Sequence, residues 1–197
     1  PMERLTSSNS DKYPFSASPD GKTVAIIERR PGTGWDIALL DTHSQRVTPF
    51  LNSQFNESCP EFSPDGRWMA YASNESKRDE IFVRPFPGPG TKHPISSKGG
   101  FAPLWSKDGR QLFYRSRDQV WAVDVQTAGG FTSGKPRLLF EKSGLAIGGP
   151  LGCWDISLDS QRFLMVKLEQ RKPAPVTEII LVQNWFEELK RLAPNGR

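Results

Sequence analysis

Four short segments recur along the chain: Ala17-Ser18-Pro19-Asp20-Gly21, Phe62-Ser63-Pro64-Asp65-Gly66, Trp105-Ser106-Lys107-Asp108-Gly109 and Ile156-Ser157-Leu158-Asp159-Ser160. Their aspartates lie 45, 43 and 51 residues apart. An internal repeat of roughly 40 to 50 residues is the pitch of a four-stranded propeller blade, and it removes most other architectures at once. Each segment carries the chemistry of a tight turn. Pro presets φ near −65°, Asp bonds nearby backbone N–H groups and Gly accepts positive φ. The structural turn residues are therefore Asp20 with Gly21, Asp65 with Gly66, Asp108 with Gly109, and Asp159, whose neighbour is Ser160.

Apolar runs suited to strands flank every turn. A first strand precedes it at 13–18, 58–63, 101–106 and 152–157. A second follows at 23–28, 68–73, 112–116 and 162–167, and a third at 36–40, 80–83, 119–123 and 178–182. Weaker fourth strands fall at 46–51, 92–96 and 137–141. The expected fold is all-β: a propeller of about four four-stranded blades, at about 13–51, 58–96, 101–141 and 152–183. A short amphipathic helix and tail over 184–197 complete the single region 1–197, with Trp185, Phe186, Leu189 and Leu192 at helical spacing. Blade four lacks its own fourth strand, and residues 3–6 resemble an orphan one. Three arrangements follow: a closed four-bladed monomer, a homodimer in which each chain is half of an eight-bladed ring, or an open partial propeller.

A blade exposes two faces, so blades must stack to bury their apolar rows. The position three before each Asp is the expected buried anchor: Ala17, Phe62, Trp105 and Ile156. Trp68, Tyr71, Phe113, Tyr114 and Phe163 are expected between neighbouring sheets. Seventeen Gly and 17 Pro in 197 residues suit short strands and tight turns. With 26 Lys+Arg against 22 Asp+Glu interleaved along the chain, the net charge of +4 is too small and too mixed for a nucleic-acid surface. No apolar run reaches the roughly 18 to 20 residues of a spanning helix, so no direct membrane insertion is expected. The chain opens Pro1-Met2-Glu3, which reads as a fragment of a longer protein.

Repeated Phe/Trp-Ser-Pro/Lys-Asp-Gly followed by a strand such as Trp68-Met69-Ala70-Tyr71-Ala72-Ser73 resembles the TolB-like, WD40-like β-propeller repeat of bacteria. The resemblance covers about 13–183. It departs at Lys107 in the third turn and at Leu158 and Ser160 in the fourth. The same repeat occurs in periplasmic TolB, in propellers of prolyl oligopeptidase relatives and at the C-termini of some membrane-anchored serine/threonine kinases, whose terminus resembles 177–189. It implies a periplasmic or extracytoplasmic location and a protein partner or self-association.

Chemistry is sparse. Gly129-Gly130-Phe131-Thr132-Ser133-Gly134-Lys135 fits the spacing of a phosphate loop, but Pro136 replaces the magnesium-binding hydroxyl and a strand pattern follows instead of a helix. No kinase signature and no G-x-S-x-G nucleophile is present. His43 and His93 stand apart from any metal-ligand spacing and read as surface residues. Asn56-Glu57-Ser58 and Asn74-Glu75-Ser76 match a glycosylation sequon that is frequent by chance. Cys59 and Cys153 hold equivalent places in blades two and four, too far apart for a disulfide unless the ring is small. The candidate channel-lining residues are Glu61 and Asp155, four before the turn Asp, where Ser16 and Leu104 stand in the other blades. Strand alternation aims this position away from the buried anchor. No catalytic, cofactor-binding or metal site is expected. The reading is a non-enzymatic interaction or sensor module. An accessory propeller of a hydrolase or peptidase, and a catalytic propeller using Glu61 and Asp155, are the alternatives.

Overall fold

The computed structural model describes residues 4–6, 8–146 and 154–167, all of it strands and turns. Blade one is the antiparallel sheet β1 (Lys12–Ala17), β2 (Thr23–Arg30), β3 (Gly34–Asp41) and β4 (Val47–Leu51). Blade two repeats it with β5 (Glu57–Phe62), β6 (Trp68–Ser73), β7 (Glu80–Pro85) and β8 (His93–Pro94). Blade three contains β9 (Phe101–Trp105), β10 (Gln111–Ser116) and β11 (Gln119–Gln126), and the outer edge of β11 is shared by β12 (Thr132–Ser133) and β13 (Arg137–Glu141). Blade four shows β14 (Trp154–Ile156) and β15 (Phe163–Met165). The third strand of blade four, the expected helix over 184–197 and Cys153 lie outside the described residues. Arg4 to Thr6, part of the expected orphan strand, carry no strand in the structure.

Every turn between the first and second strands is built alike. Its Ser hydroxyl donates to the Asp carboxylate, at 2.6 Å for Ser18 and Asp20, 2.5 Å for Ser63 and Asp65, 2.6 Å for Ser106 and Asp108 and 2.5 Å for Ser157 and Asp159. The same carboxylates accept the N–H groups of Lys22, Arg67, Arg110 and Gln161 two residues on. The Ser oxygen in turn accepts the N–H that opens the next strand, from Thr23, Trp68, Gln111 and Arg162. Ser and Asp thus satisfy the turn's own donors, while Pro and Gly only ease its backbone. Blade four keeps the geometry without either, with Ser160 at φ 56° where Gly21, Gly66 and Gly109 sit at 71°, 68° and 69°.

The departures in the third and fourth turns answer one another. A Cβ on Gly66 would stand 3.2 Å from Pro19 Cδ, and one on Gly109 would stand 3.7 Å from Pro64 Cδ. The turn glycines of blades two and three therefore face the proline of the blade before. At the next junction the proline is Lys107, which has an N–H, and the glycine is Ser160, whose Oγ accepts it at 3.2 Å. Lys107→Pro alone is expected to cost about 1 to 2 kcal/mol by pushing a ring against Ser160. Lys107→Pro with Ser160→Gly is expected to recover most of the loss. A coupling of at least about 1 kcal/mol in a urea-denaturation cycle is the check, and simple additivity would show that these turns do not interact.

Three apolar layers join the blades. Ile27 and Ile37 meet Tyr71 and Phe82 between blades one and two. Ala72, Ile81 and Val83 meet Trp105, Leu112 and Tyr114 between two and three. Phe113 and Ala122 meet Trp154 and Ile156, with Phe163 packed beside them, between three and four. The anchors Phe62, Trp105 and Ile156 are buried. Ala17, expected as the first anchor, is exposed, because no described blade precedes blade one. His93, expected on the surface, is half-buried against the rings of Trp68 and Phe131, at centroid distances of 5.9 and 5.0 Å.

Candidate functional site

The first strand of each complete blade has a register break: between Pro14 and Ser16 in β1, between Ser58 and Glu61 in β5, and in β9 opposite Phe113 and Arg115. Cys59 and Ala102 occupy the break in the left-handed region, at φ 51° and 50°. A bulge re-aims the side chains after it. Here it accompanies a convergence: Ser16, Glu61, Leu104 and Asp155, the four equivalent positions, line one cavity of about 410 Å³. Cys59, Lys107 and the wall residues Phe15 and Trp154 share it.

Glu61 is held by its backbone on both sides. The Phe62 N–H donates to Ser16 Oγ at 3.1 Å from blade one, and the Glu61 carbonyl accepts Trp105 Nε1–H at 3.2 Å from blade three. The same device recurs one junction on, where Trp154 Nε1–H donates to the Ala102 carbonyl at 3.0 Å. Indole donors from the following blade thus tie successive first strands together around the cavity.

Its electrostatics are uneven. Burial pushes the Glu61 carboxyl up to about 7, against the lowering effects of the Ser16 hydroxyl and Lys107, while the negative Asp155 adds to the rise. Glu61 is therefore not the freely solvated charge that alternation alone suggests. It is half-buried, whereas Asp155 and Lys107 are exposed. Burial likewise pushes the Cys59 thiol up to about 11, so this free, buried cysteine is neutral at ordinary pH and inert as a nucleophile. Among the described residues no group of three His, Cys, Asp or Glu side chains is placed to hold a metal ion.

Because the folded-state value of Glu61 lies above its unfolded one, the group costs stability as pH rises from about 4.5 through 7. Glu61→Gln is accordingly expected to stabilise the protein by about 1 to 2 kcal/mol at pH 8, less than the full shift because water still reaches the carboxyl, and to change little at pH 4. Thermal melts at the two pH values check it, and a destabilised variant at pH 8 would show that the ionised carboxylate is supported.

The other sequence candidates fall elsewhere. A larger groove of about 890 Å³ runs along blade three beside Asp108 and Gly109, but Asp108 is satisfied by its own turn and Asp124 by Gln111 Nε2 at 2.8 Å. The 129–135 segment forms no phosphate cradle, since Phe131 is buried and Thr132 and Ser133 pair with β11. His43 is exposed in the turn after β3. Asn56 and Asn74 support the fold, Asn56 Oδ1 accepting the Trp35 N–H and Asn74 Oδ1 the Asn56 N–H, each at 2.9 Å. Lys107 was missed as a pocket residue. The one signal for it was its departure from Pro in an otherwise regular repeat.

No protein-family model matches the chain. An uncharacterized protein of Agrobacterium fabrum, Atu1656, is 28% identical over 116 residues, 58% of this chain and 39% of that one. TolB of Acinetobacter baumannii superposes with a TM-score of 0.60 at 21% identity, covering 85% of this chain and 46% of TolB. A TolB-type structure from Agrobacterium tumefaciens gives 0.57 at 24% identity, covering 70% and 51%. The chain spans about half the length of these TolB structures, or less. Stacked four-stranded antiparallel blades, joined by the Ser-x-Asp turn and matched in space by TolB, make the fold of this chain that of the TolB-like β-propeller.

Proposed function

We propose that the chain is a non-enzymatic binding module of an extracytoplasmic bacterial protein, and that the inner cavity is the port that receives a segment of a protein partner. One observation carries this reading. The scaffold positions repeat from blade to blade, Ser and Asp at every turn and a buried anchor in three of four, whereas the four cavity positions are Ser16, Glu61, Leu104 and Asp155. Folding asks for sameness at the turns and layers. It does not ask for four different side chains, two of them acidic, around one cavity.

The experiment is to select peptides from a displayed library on the wild-type chain and to measure them on Leu104→Trp, which fills the cavity from a half-buried position. Expected is a loss of binding of at least tenfold with an unchanged unfolding midpoint. Peptides that bind both proteins equally would overturn the port.

Self-association is a second reading, favoured by blade four, where Leu164 on β15 is 74% exposed and Val166, just past the strand, 51%. Two copies stacked through this face would extend the ring to eight blades. Light scattering is expected to return twice the 22.1 kDa chain mass, and Leu164→Glu is expected to return the monomer.

A further inference from the structure

Two of the four equivalent cavity positions are acids. Among the described residues that line the cavity, only Lys107 carries positive charge, and among the described residues it makes no ion pair. We propose that the cavity selects one organic cation, a guanidinium or ammonium group such as an arginine or lysine side chain presents, seated between Glu61 and Asp155. This assignment rests on the cavity being the port described above.

The walls fit that ligand. Phe15, Leu104 and Trp154 offer apolar surface to the methylene stem of such a side chain, and the two carboxyls offer acceptors to its head. Trp105 and Ser16 lock the backbone that carries Glu61, so the acceptor is in place before binding. A counter-charge brought to a carboxyl shielded from water gains more than one brought to an exposed acid. A divalent metal is a poorer match, since it asks for about six oxygen ligands and two carboxyls beside a lysine do not supply them.

Proton linkage gives the proposal a signature. Among the described residues, the charged and titratable groups facing the site are Glu61 and Cys59 on β5, Lys107 in the turn after β9 and Asp155 on β14, while β1 contributes the hydroxyl of Ser16. The thiol stays neutral through the neutral range. With Glu61 near 7, about a tenth of the cavities hold an ionised carboxylate at pH 6 and about nine tenths at pH 8. A cation that needs this charge binds several-fold tighter at the higher pH.

The test is calorimetric titration of the full chain with acetyl-arginine amide, with neutral acetyl-glutamine amide as control. The arginine probe is expected to tighten about five- to tenfold from pH 6 to pH 8. Glu61→Gln is expected to abolish that dependence and weaken binding at least tenfold at pH 8, Asp155→Asn to weaken it about threefold, and Lys107→Gln to tighten it. Equal binding of the neutral control, a pH-independent Kd, or displacement of the probe by equimolar calcium chloride would each overturn the cation assignment. Selected peptides that need an open cavity but contain no Arg or Lys would overturn it too, and leave the port standing. Arginine-probe binding undiminished on Leu104→Trp would overturn the port itself.

Discussion

Trp105→Ala is expected to lower the free energy of unfolding by about 3 to 5 kcal/mol, read as a shift of the urea midpoint at constant slope. Trp105 is 3% exposed and stands in the layer between blades two and three, with the Phe131 ring edge-on at 6.4 Å. Its removal leaves a cavity that two hydrogen-bonded sheets cannot collapse into, and it strips the Glu61 carbonyl of its indole donor. Trp105→Phe keeps most of the packing and loses that donor, so about 1 to 2 kcal/mol is expected. The two variants separate the wedge from the tie. A loss below about 1 kcal/mol for Trp105→Ala would mean that blades two and three are not held together here.

Asp65→Ala is expected to cost about 2 kcal/mol and Asp159→Ala about 1 kcal/mol or less, although their turns share one geometry. The difference lies in what else each carboxylate touches. Asp65 also receives Arg67 Nε and Nη2 at 3.0 and 2.8 Å, and Arg67 in turn donates to the Thr127 carbonyl at 2.9 Å. Asp159 pairs with Arg162 at 3.8 Å, and that arginine is well exposed. Burial opposes ionisation of Asp65, but the Ser63 hydroxyl and the Arg67 donors prevail and hold it down to about 2. Its folded value is thus below the unfolded one. The stabilisation is present above about pH 4 and is lost as pH falls towards 2. Acid titrations of stability should show a shallower decline between pH 4 and 2 for Asp65→Ala than for wild type. Identical acid limbs would show that Asp65 does not carry this linkage.

How much was legible beforehand depended on the range of the interaction. The Ser-x-Asp turns close over five residues, and strand alternation is read over six, so blade order and strand placement follow from local chemistry. The fourth strand of blade two is shorter than its apolar run. His93 and Pro94 pair with β7, but the N–H groups of Ile95 and Ser96 then both turn to the Ile81 carbonyl and the Ile81 N–H turns to the Ser96 hydroxyl, so the regular ladder stops there. The small strand β12 was not visible, since Thr132 and Ser133 look like any loop until β11 offers them an edge.

By itself the sequence determined an all-β chain of repeated blades, the residues of every turn, and the register that sets Glu61 and Asp155 at equivalent places. Only the tertiary structure decided what those places became. That Ala17 is exposed, that His93 packs against two rings, that Lys107 and Ser160 replace a Pro–Gly contact by a hydrogen bond, and that Glu61 is half-shielded from water are all settled by a neighbouring blade or by the lack of one among the described residues. The physical reason is separation along the chain. A turn hydrogen bond forms between groups already held close by covalent geometry, whereas the surroundings of a carboxyl depend on what stacking brings from more than 40 residues away.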